Sequence, residues 1–386
     1  MRKAWTVSWS ALLAVGAISL PLLASTASTV AASPRTRPPI GKQLAELEGS
    51  GTVAGADFGM SVAISGTTLV AENEHTLYVF TKTATGWKQA AEWTDSDTFD
   101  FSLSVAISGT TLVVSGYGPV VYVFTKTATG WKQAAGLQGS GTGAEIGFGG
   151  RVAISGATVV VGAPGFAKDA GRAYVFTKTA TGWKQAAELQ GGSDTVAGGY
   201  DFGTSVAISG TTVVVGTDSE ADDGVESGGP LYVFTKTAGR WKQAVELRGN
   251  FGRSVAISGT TLVVGDPVDV VDGQAYVFTK TATGWKQAAE LQGSDTYYGD
   301  KFGYSVGISG ATVVVGDYQA GSHGTGGRAY MFTKTATGWK QAAELKGSDT
   351  TAGDEFGYSV DISGTTVVVG APCHARLVGG AYVFEA

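Results

Sequence analysis

The chain is poor in several residue types that organise other kinds of protein. It has one cysteine, Cys373, so no intramolecular disulfide can form. Charged residues make up 16% of the 386 residues, against about 25% in an average domain, while glycine, with 59 residues, is about twice as frequent as usual. That combination excludes a helical bundle or a coiled coil. Basic residues do not outnumber acidic ones, 27 against 33, so there is no basic face for nucleic acid. Histidine occurs three times, at His75, His323 and His374, too sparsely to indicate a histidine metal centre. There is no Asn-x-Ser/Thr sequon, and after residue 32 no apolar run is long enough to span a bilayer.

What is present begins with a targeting pattern. Met1, Arg2 and Lys3 precede a mostly apolar run to Leu23, and small residues follow up to Ala32. Residues 1–32 are expected to be a secretory signal peptide, residues 33–40 a Pro-rich linker, and residues 41–386 the folded part. Loss of Arg2 and Lys3 leaves 25 basic against 33 acidic residues, an acidic secreted chain.

The folded part repeats itself. Phe-Thr-Lys-Thr-Ala-Thr-Gly-Trp-Lys-Gln-Ala-Ala recurs unchanged from Phe80, Phe124, Phe176, Phe278 and Phe332, with a variant from Phe234. A second anchor, Phe-Gly-x-Ser-Val-Ala-Ile-Ser-Gly or a close relative, starts at Phe58, Phe101, Phe148, Phe202, Phe251, Phe302 and Phe356, which makes seven units. Glycines divide each unit into four short runs. In the sixth these are Tyr304 to Ile308, Thr312 to Val315, Ala329 to Thr333 and Trp339 to Leu345. The first three are rich in β-branched and aromatic residues and predict strands. The fourth has good helix formers but is short for a helix, and is expected to be an outer strand whose Lys and Glu protect the sheet edge.

Seven four-stranded units predict an all-β, seven-bladed β-propeller. The termini support closure of the ring. The seventh unit ends after its third run, at Ala381 to Phe384, while Lys42 to Leu47 near the start copies the missing fourth run. The N-terminal strand should therefore complete the last blade. Gly41 stands where the other units have Trp, which makes blade seven the expected weak point.

The Phe-Gly near the start of each unit, with Gly162-Ala163-Pro164 and Gly370-Ala371-Pro372 after the second run, resembles the FG-GAP repeat of the integrin alpha-chain propeller. The resemblance covers residues 41–386, is strongest to the bacterial secreted branch, and implies extracellular binding or adhesion. It departs at one chemically important place. The integrin-type turn between the first two strands carries an Asp-x-Asp-x-Asp-Gly-like calcium loop, whereas all seven turns here read Ile-Ser-Gly-Thr-Thr or Ile-Ser-Gly-Ala-Thr. Without carboxylates these turns cannot supply the six to eight oxygens calcium takes. No cofactor is expected, and calcium is not supported by the repeat turns.

Within the chain, the turns between runs one and two and between runs three and four are nearly constant, while the other two connections vary. Diversity therefore falls on one face of the propeller, where a rigid scaffold would carry a binding site. The most polar loop, residues 218–229, supplies Asp218, Glu220, Asp222 and Asp223. The first three nearly fit a calcium loop but Gly224 falls one place late. Asp266, Asp269 and Asp272 form a thinner cluster. Tyr200, Tyr297, Tyr298 and Tyr318 on the same face could stack on a ligand. The pairs Asp295 with Asp300 and Asp349 with Asp354 suit turn hydrogen bonds. Gly303-Tyr304-Ser305-Val306-Gly307 matches a nucleophile elbow but lacks the helix that follows one. Cys373 beside His374 suggests a buried thiol more than a nucleophile. The expected function is a secreted, monomeric, non-catalytic scaffold that holds an extracellular protein or polysaccharide on its variable face. The alternative is an extracellular propeller enzyme acting on carbohydrate through paired carboxylates; a kelch-like reading would leave the fold unchanged.

Overall fold

Alternating apolar residues bounded by tight glycine turns produce seven antiparallel sheets arranged as the blades of a closed propeller. The structure is a computed structural model and describes residues 38–73, 75–94, 101–116, 119–142, 147–166, 170–192, 201–220, 226–267, 273–297, 299–319 and 326–386. Residues 1–32, where a signal peptide is expected, and most of the expected linker at 33–40 lie outside these residues. In blade six the strands are Ser305–Ser309, Thr312–Asp317, Arg328–Thr335 and Gly338–Leu345, in that spatial order from axis to rim. The fourth run is a strand in every blade, with its Lys and Gln side chains largely exposed. Blade four has an extra short strand, Asp218–Glu220, paired with the start of Glu226–Thr237.

The second strand of each blade is buried on both faces, which explains its unbroken Val runs. Val159 and Val161 pack against blade two, through Val113 and Val123, while Val160 packs toward blade four with Val213 and Val215. Between blades, a phenylalanine from the Phe-Gly anchor packs edge-on against Tyr and Phe of the third strand. Phe356 lies 5.4 Å from Tyr382 and 5.9 Å from Phe384, and the same pair of contacts recurs in six blades. Each such ring contact contributes about 0.5–1.5 kcal/mol beyond its buried area.

The glycines of the two anchor motifs meet backbone to backbone across the blade interface. A Cβ on Gly370 would lie 2.0 Å from the carbonyl oxygen of Gly59 in blade one. Gly59 itself has φ +99°, a left-handed backbone suited to glycine.

Closure occurs as the termini imply. Strand Gln43–Leu47 pairs with Gly380–Glu385 as the outer strand of blade seven. It reproduces the bulge of the other outer strands, with a register shift between Gln43 and Ala45 matching the one opposite Met331 and Phe332 in blade six. Ser348 donates its backbone N–H to Gln43 Oε1 at 2.9 Å, as Ser294 does to Gln341 one blade earlier. The Lys–Trp stack of other blades, such as Lys82 over Trp87 at 5.9 Å, is replaced here by Ala386 and Gly41, and Ala386 joins the apolar cluster between blades six and seven.

The Ser-Gly turns have a mechanical role. The Ser hydroxyl of each turn accepts the Gly N–H of the next blade's turn at 3.0–3.1 Å: Ser65 from Gly109, Ser108 from Gly156, Ser155 from Gly210 and Ser209 from Gly259. Ser258, Ser309 and Ser363 continue the series to Gly310, Gly364 and finally Gly66, which closes a circle through all seven blades. The position that carries metal ligands in the integrin-type repeat is used here for a hydrogen-bonded ring.

Candidate binding site at the propeller axis

The first strands of successive blades lie side by side around the axis, and the last, Ser359–Ser363, lies against the first, Ser61–Ser65. Their N-terminal ends open on the variable face, where all seven blades contribute to a pocket of about 260 Å³. Its walls come mainly from the residue that follows Phe-Gly: Met60, Thr204, Arg253, Tyr304 and Tyr358, joined by Arg151 from blade three. That residue differs from blade to blade inside an otherwise repeated frame.

The aromatic wall is a packed trio. Tyr304 lies 4.4 Å from Tyr318 and 5.1 Å from Tyr358 between ring centres, and Tyr318 lies 5.5 Å from Tyr358. Burial, then the neighbouring Tyr304, raises the Tyr358 hydroxyl above its ordinary range, so it stays protonated and can donate. The Arg253 guanidinium sits 5.5 Å above the Tyr304 ring and 3.9 Å from Asp218 Oδ2. A ring face, a guanidinium and a phenol hydroxyl thus converge at one mouth. Asp218 is the one carboxylate among the described lining residues.

The residues singled out from sequence divide into three groups. Asp218 lines the pocket and Tyr318 supports its aromatic wall. Tyr297 is 58% exposed in a turn away from the pocket. Asp222, Asp223, Tyr200 and Tyr298 lie outside the described residues, and of Glu220 only the strand position is described. The pocket residues Arg151, Arg253, Tyr304 and Tyr358 lie outside the long variable connections; three of them occupy the single variable position after Phe-Gly, and Arg151 stands one place later.

Other candidates turn out to be structural. Ser305, in the elbow-like motif, donates to the carbonyl of Gly357 in the next blade at 2.8 Å. Asp300 and Asp354 accept turn N–H groups from Tyr297 and Thr351, while Asp295 and Asp349 accept the hydroxyls of Tyr330 and Tyr382. The Cys373 thiol is pushed up to about 12 by burial and then by Glu355, so it is not a thiolate at neutral pH. Asp317 is fully buried, and burial, then Asp300, pushes its carboxyl up to about 8. On the first strand of blade seven, Asp361 replaces the alanine found at Ala63 and Ala207. Its carboxylate accepts the N–H of Ile64 in blade one at 2.7 Å and that of Ile362 at 2.8 Å, and burial pushes it up to about 6.

The sequence profile of the FG-GAP repeat matches residues 131–176, 183–234, 248–278, 285–332 and 339–384, more than half of the chain. No curated protein sequence matches it. A chain in the crystal structure of the mitotic checkpoint complex is similar in fold, with a TM-score of 0.60 and 13% identity over 98% of this chain and 99% of that one. At that identity the likeness is one of fold alone. Among the described residues no helix is long and apolar enough to cross a membrane.

Proposed function

The chain belongs to the FG-GAP repeat family, and on that footing we propose that it is a secreted, non-catalytic binding protein that grips an extracellular polysaccharide at the axial pocket of its variable face. The observation that carries this reading is the convergence of Tyr304, Tyr358 and Arg253 at the mouth of the pocket. Tyrosine faces cover the apolar face of a sugar ring, and arginine supplies several donors to hydroxyl or carboxylate oxygens. The volume of about 260 Å³ suits one sugar unit or end group, with the rest of the polymer lying across the rim. The N-terminal pattern up to Ala32 supports secretion.

Binding is favoured over hydrolysis by the lining. Two-carboxylate glycoside hydrolysis needs an acid and a base or nucleophile about 5–10 Å apart, and the described lining holds Asp218 alone, facing Arg253. The test is a glycan array followed by titration calorimetry with the purified protein. Saturable binding, weakened at least tenfold by Arg253→Ala and by Tyr304→Ala, is expected. Binding only to proteins on a parallel matrix array, release of reducing sugar, or glycan affinity untouched by both substitutions would overturn the reading.

A further inference from the structure

A second site lies away from the axis, at the seam where the N-terminal strand joins blade seven. In blade six, Arg328 on the third strand ion-pairs with Asp295 and, at 3.2 Å, with Glu344 of the outer strand, and Tyr330 donates to Asp295. Blade seven keeps both acids and the tyrosine, as Asp349, Glu46 and Tyr382, but Gly380 occupies the arginine position. The space is filled by His374, from the connection between the second and third strands. This imidazole is 8% exposed.

The orientation of the imidazole is set from behind. His374 Nδ1 lies 2.8 Å from Asp354 Oδ2, and Asp354 is itself buried and fixed by the Thr351 N–H at 2.6 Å. With the Nδ1 proton given to Asp354, the Nε2 lone pair points at Asp349 Oδ2, 3.5 Å away, and Glu46 Oε1, 3.9 Å away. Nε2 makes no hydrogen bond of its own. Tyr382 holds the other oxygen of Asp349 at 2.9 Å, which leaves Oδ2 facing the imidazole. Three acceptors thus converge on one point, in a blade that has lost the guanidinium serving the equivalent acids.

We propose that Glu46, Asp349 and His374 bind a zinc ion that clamps the N-terminal strand onto the last blade. The three ligand atoms lie within 4.8 Å of one another. Zinc bonds of about 2.0–2.2 Å at a tetrahedral angle place neighbouring ligand atoms roughly 3.3–3.6 Å apart; Nε2 is 3.5 Å from Asp349 Oδ2, and Glu46 Oε1, at 3.9 Å, needs only a small inward shift. One imidazole and two carboxylates suit a borderline cation and supply too few oxygens for calcium. Asp354 on Nδ1 completes the carboxylate–histidine–metal arrangement that orients metal-binding imidazoles. Three protein ligands leave a fourth position for water. The clamp joins residues 303 positions apart in sequence, Glu46 and Asp349, and is independent of the axial pocket.

The test uses the untagged protein, stripped of metal with chelator and titrated with zinc chloride. Calorimetry should give one site, and the thermal midpoint should rise by several degrees. His374→Arg, which sets a permanent cation beside the same acids but removes the imidazole ligand, should fold as well as the metal-free wild type and lose both effects. Hydrogen exchange of residues 43–47 should slow at least tenfold with zinc in the wild type and not in Glu46→Gln. A zinc response preserved in His374→Arg, no response in the wild type, or binding that leaves exchange of residues 43–47 unchanged would each overturn the proposal.

Discussion

Asp361 offers a test of how the seam between the last and first blades is held. Five of the other blades carry alanine at this position, Ala63, Ala106, Ala153, Ala207 and Ala256, and blade six carries Gly307. The carboxylate bridges to blade one through the Ile64 N–H, yet burial outweighs the two donated hydrogen bonds and raises it from 3.8 to about 6. A carboxyl raised on folding favours its neutral form in the native state. Its contribution is therefore most favourable below pH 4, where the unfolded chain is protonated too, and declines as pH rises from about 4 through about 6.

The rise from 3.8 to about 6, at about 1.36 kcal/mol for each tenfold change in proton affinity, sets a ceiling of about 3 kcal/mol on that decline. Asp361 is only partly buried in the folded chain, and solvent screening lowers this to about 2 kcal/mol. Unfolding entropy of about 2.1 cal/mol/K per residue, over the folded unit Pro38–Ala386, converts this to about 3 °C. Asp361→Asn keeps an acceptor for Ile64 and removes the charge, while Asp361→Ala restores the residue of the other blades. Melting curves of both variants and the wild type from pH 4 to pH 8 are the assay. Both variants should match or trail the wild type at pH 4 and melt about 3 °C higher at pH 8. A wild type more stable than Asp361→Asn at pH 8, or a difference flat across pH, would refute the argument from burial.

Removing residues 42–48 takes away the outer strand of blade seven, including buried Leu47, worth about 2 kcal/mol by itself. It also leaves the wholly buried strand Gly380–Glu385 as an edge open to other chains. The thermal midpoint should fall by about 5 °C or more and light scattering should rise on heating; an unchanged curve would show that the ring does not depend on this strand. Gly370→Ala and Gly364→Ala form a contrasting pair. At Gly370 a Cβ would meet backbone of the next blade at 2.0 Å, whereas at Gly364, φ +61°, it meets open space. Denaturant midpoints should show Gly370→Ala losing about 3 kcal/mol or more and Gly364→Ala about 1, and equal losses would remove the close blade contact as the reason for the glycine.

The blade was legible because its determinants are local. Ser-Gly-Thr and Thr-Gly-Trp fix two tight hairpins within a dozen residues of the strands they join, and a doubly buried Val run needs only its own composition to be recognised. Closure was legible for a related reason, since the fourth run missing after Phe384 is present at Lys42 to Leu47. The axial pocket was not, although a signal existed. Met60, Thr204, Arg253, Tyr304 and Tyr358 are the changing letter in a repeated motif, and they meet only because seven strands converge on one axis. In sequence His374 has Cys373 as its nearest reactive neighbour, whereas in the fold its partners are Asp354, Asp349 and Glu46. The telling change was Gly380 in the arginine position, an absence that acquires meaning once the sixth blade supplies Arg328 for comparison.

The departures of blade seven, namely Gly41, Asp361, His374, Gly380 and Ala386, gather where chain closure is least favourable. Every other outer strand follows its neighbour through a two-residue turn, as between Thr335 and Gly338. Strand Gln43–Leu47 instead meets Gly380–Glu385 from the opposite end of the folded unit. Loop-closure entropy rises as (3/2)RT ln n, so closing this ring costs roughly 4–5 kcal/mol more than closing a hairpin. The Lys–Trp stack that braces the outer strands of blades one, two and four is missing here, with Ala386 and Gly41 in its place. Its side chains hold it through buried Leu47, the packing of Leu44 and Ala45, the Gln43–Ser348 pair and the carboxylate of Glu46 facing His374, beside the backbone ladder to Gly380–Glu385. A cation held by Glu46, Asp349 and His374 acts on that deficit directly, because it binds the folded seam and has no assembled site in the open chain. The side chains that distinguish this blade therefore answer a problem that no other blade has.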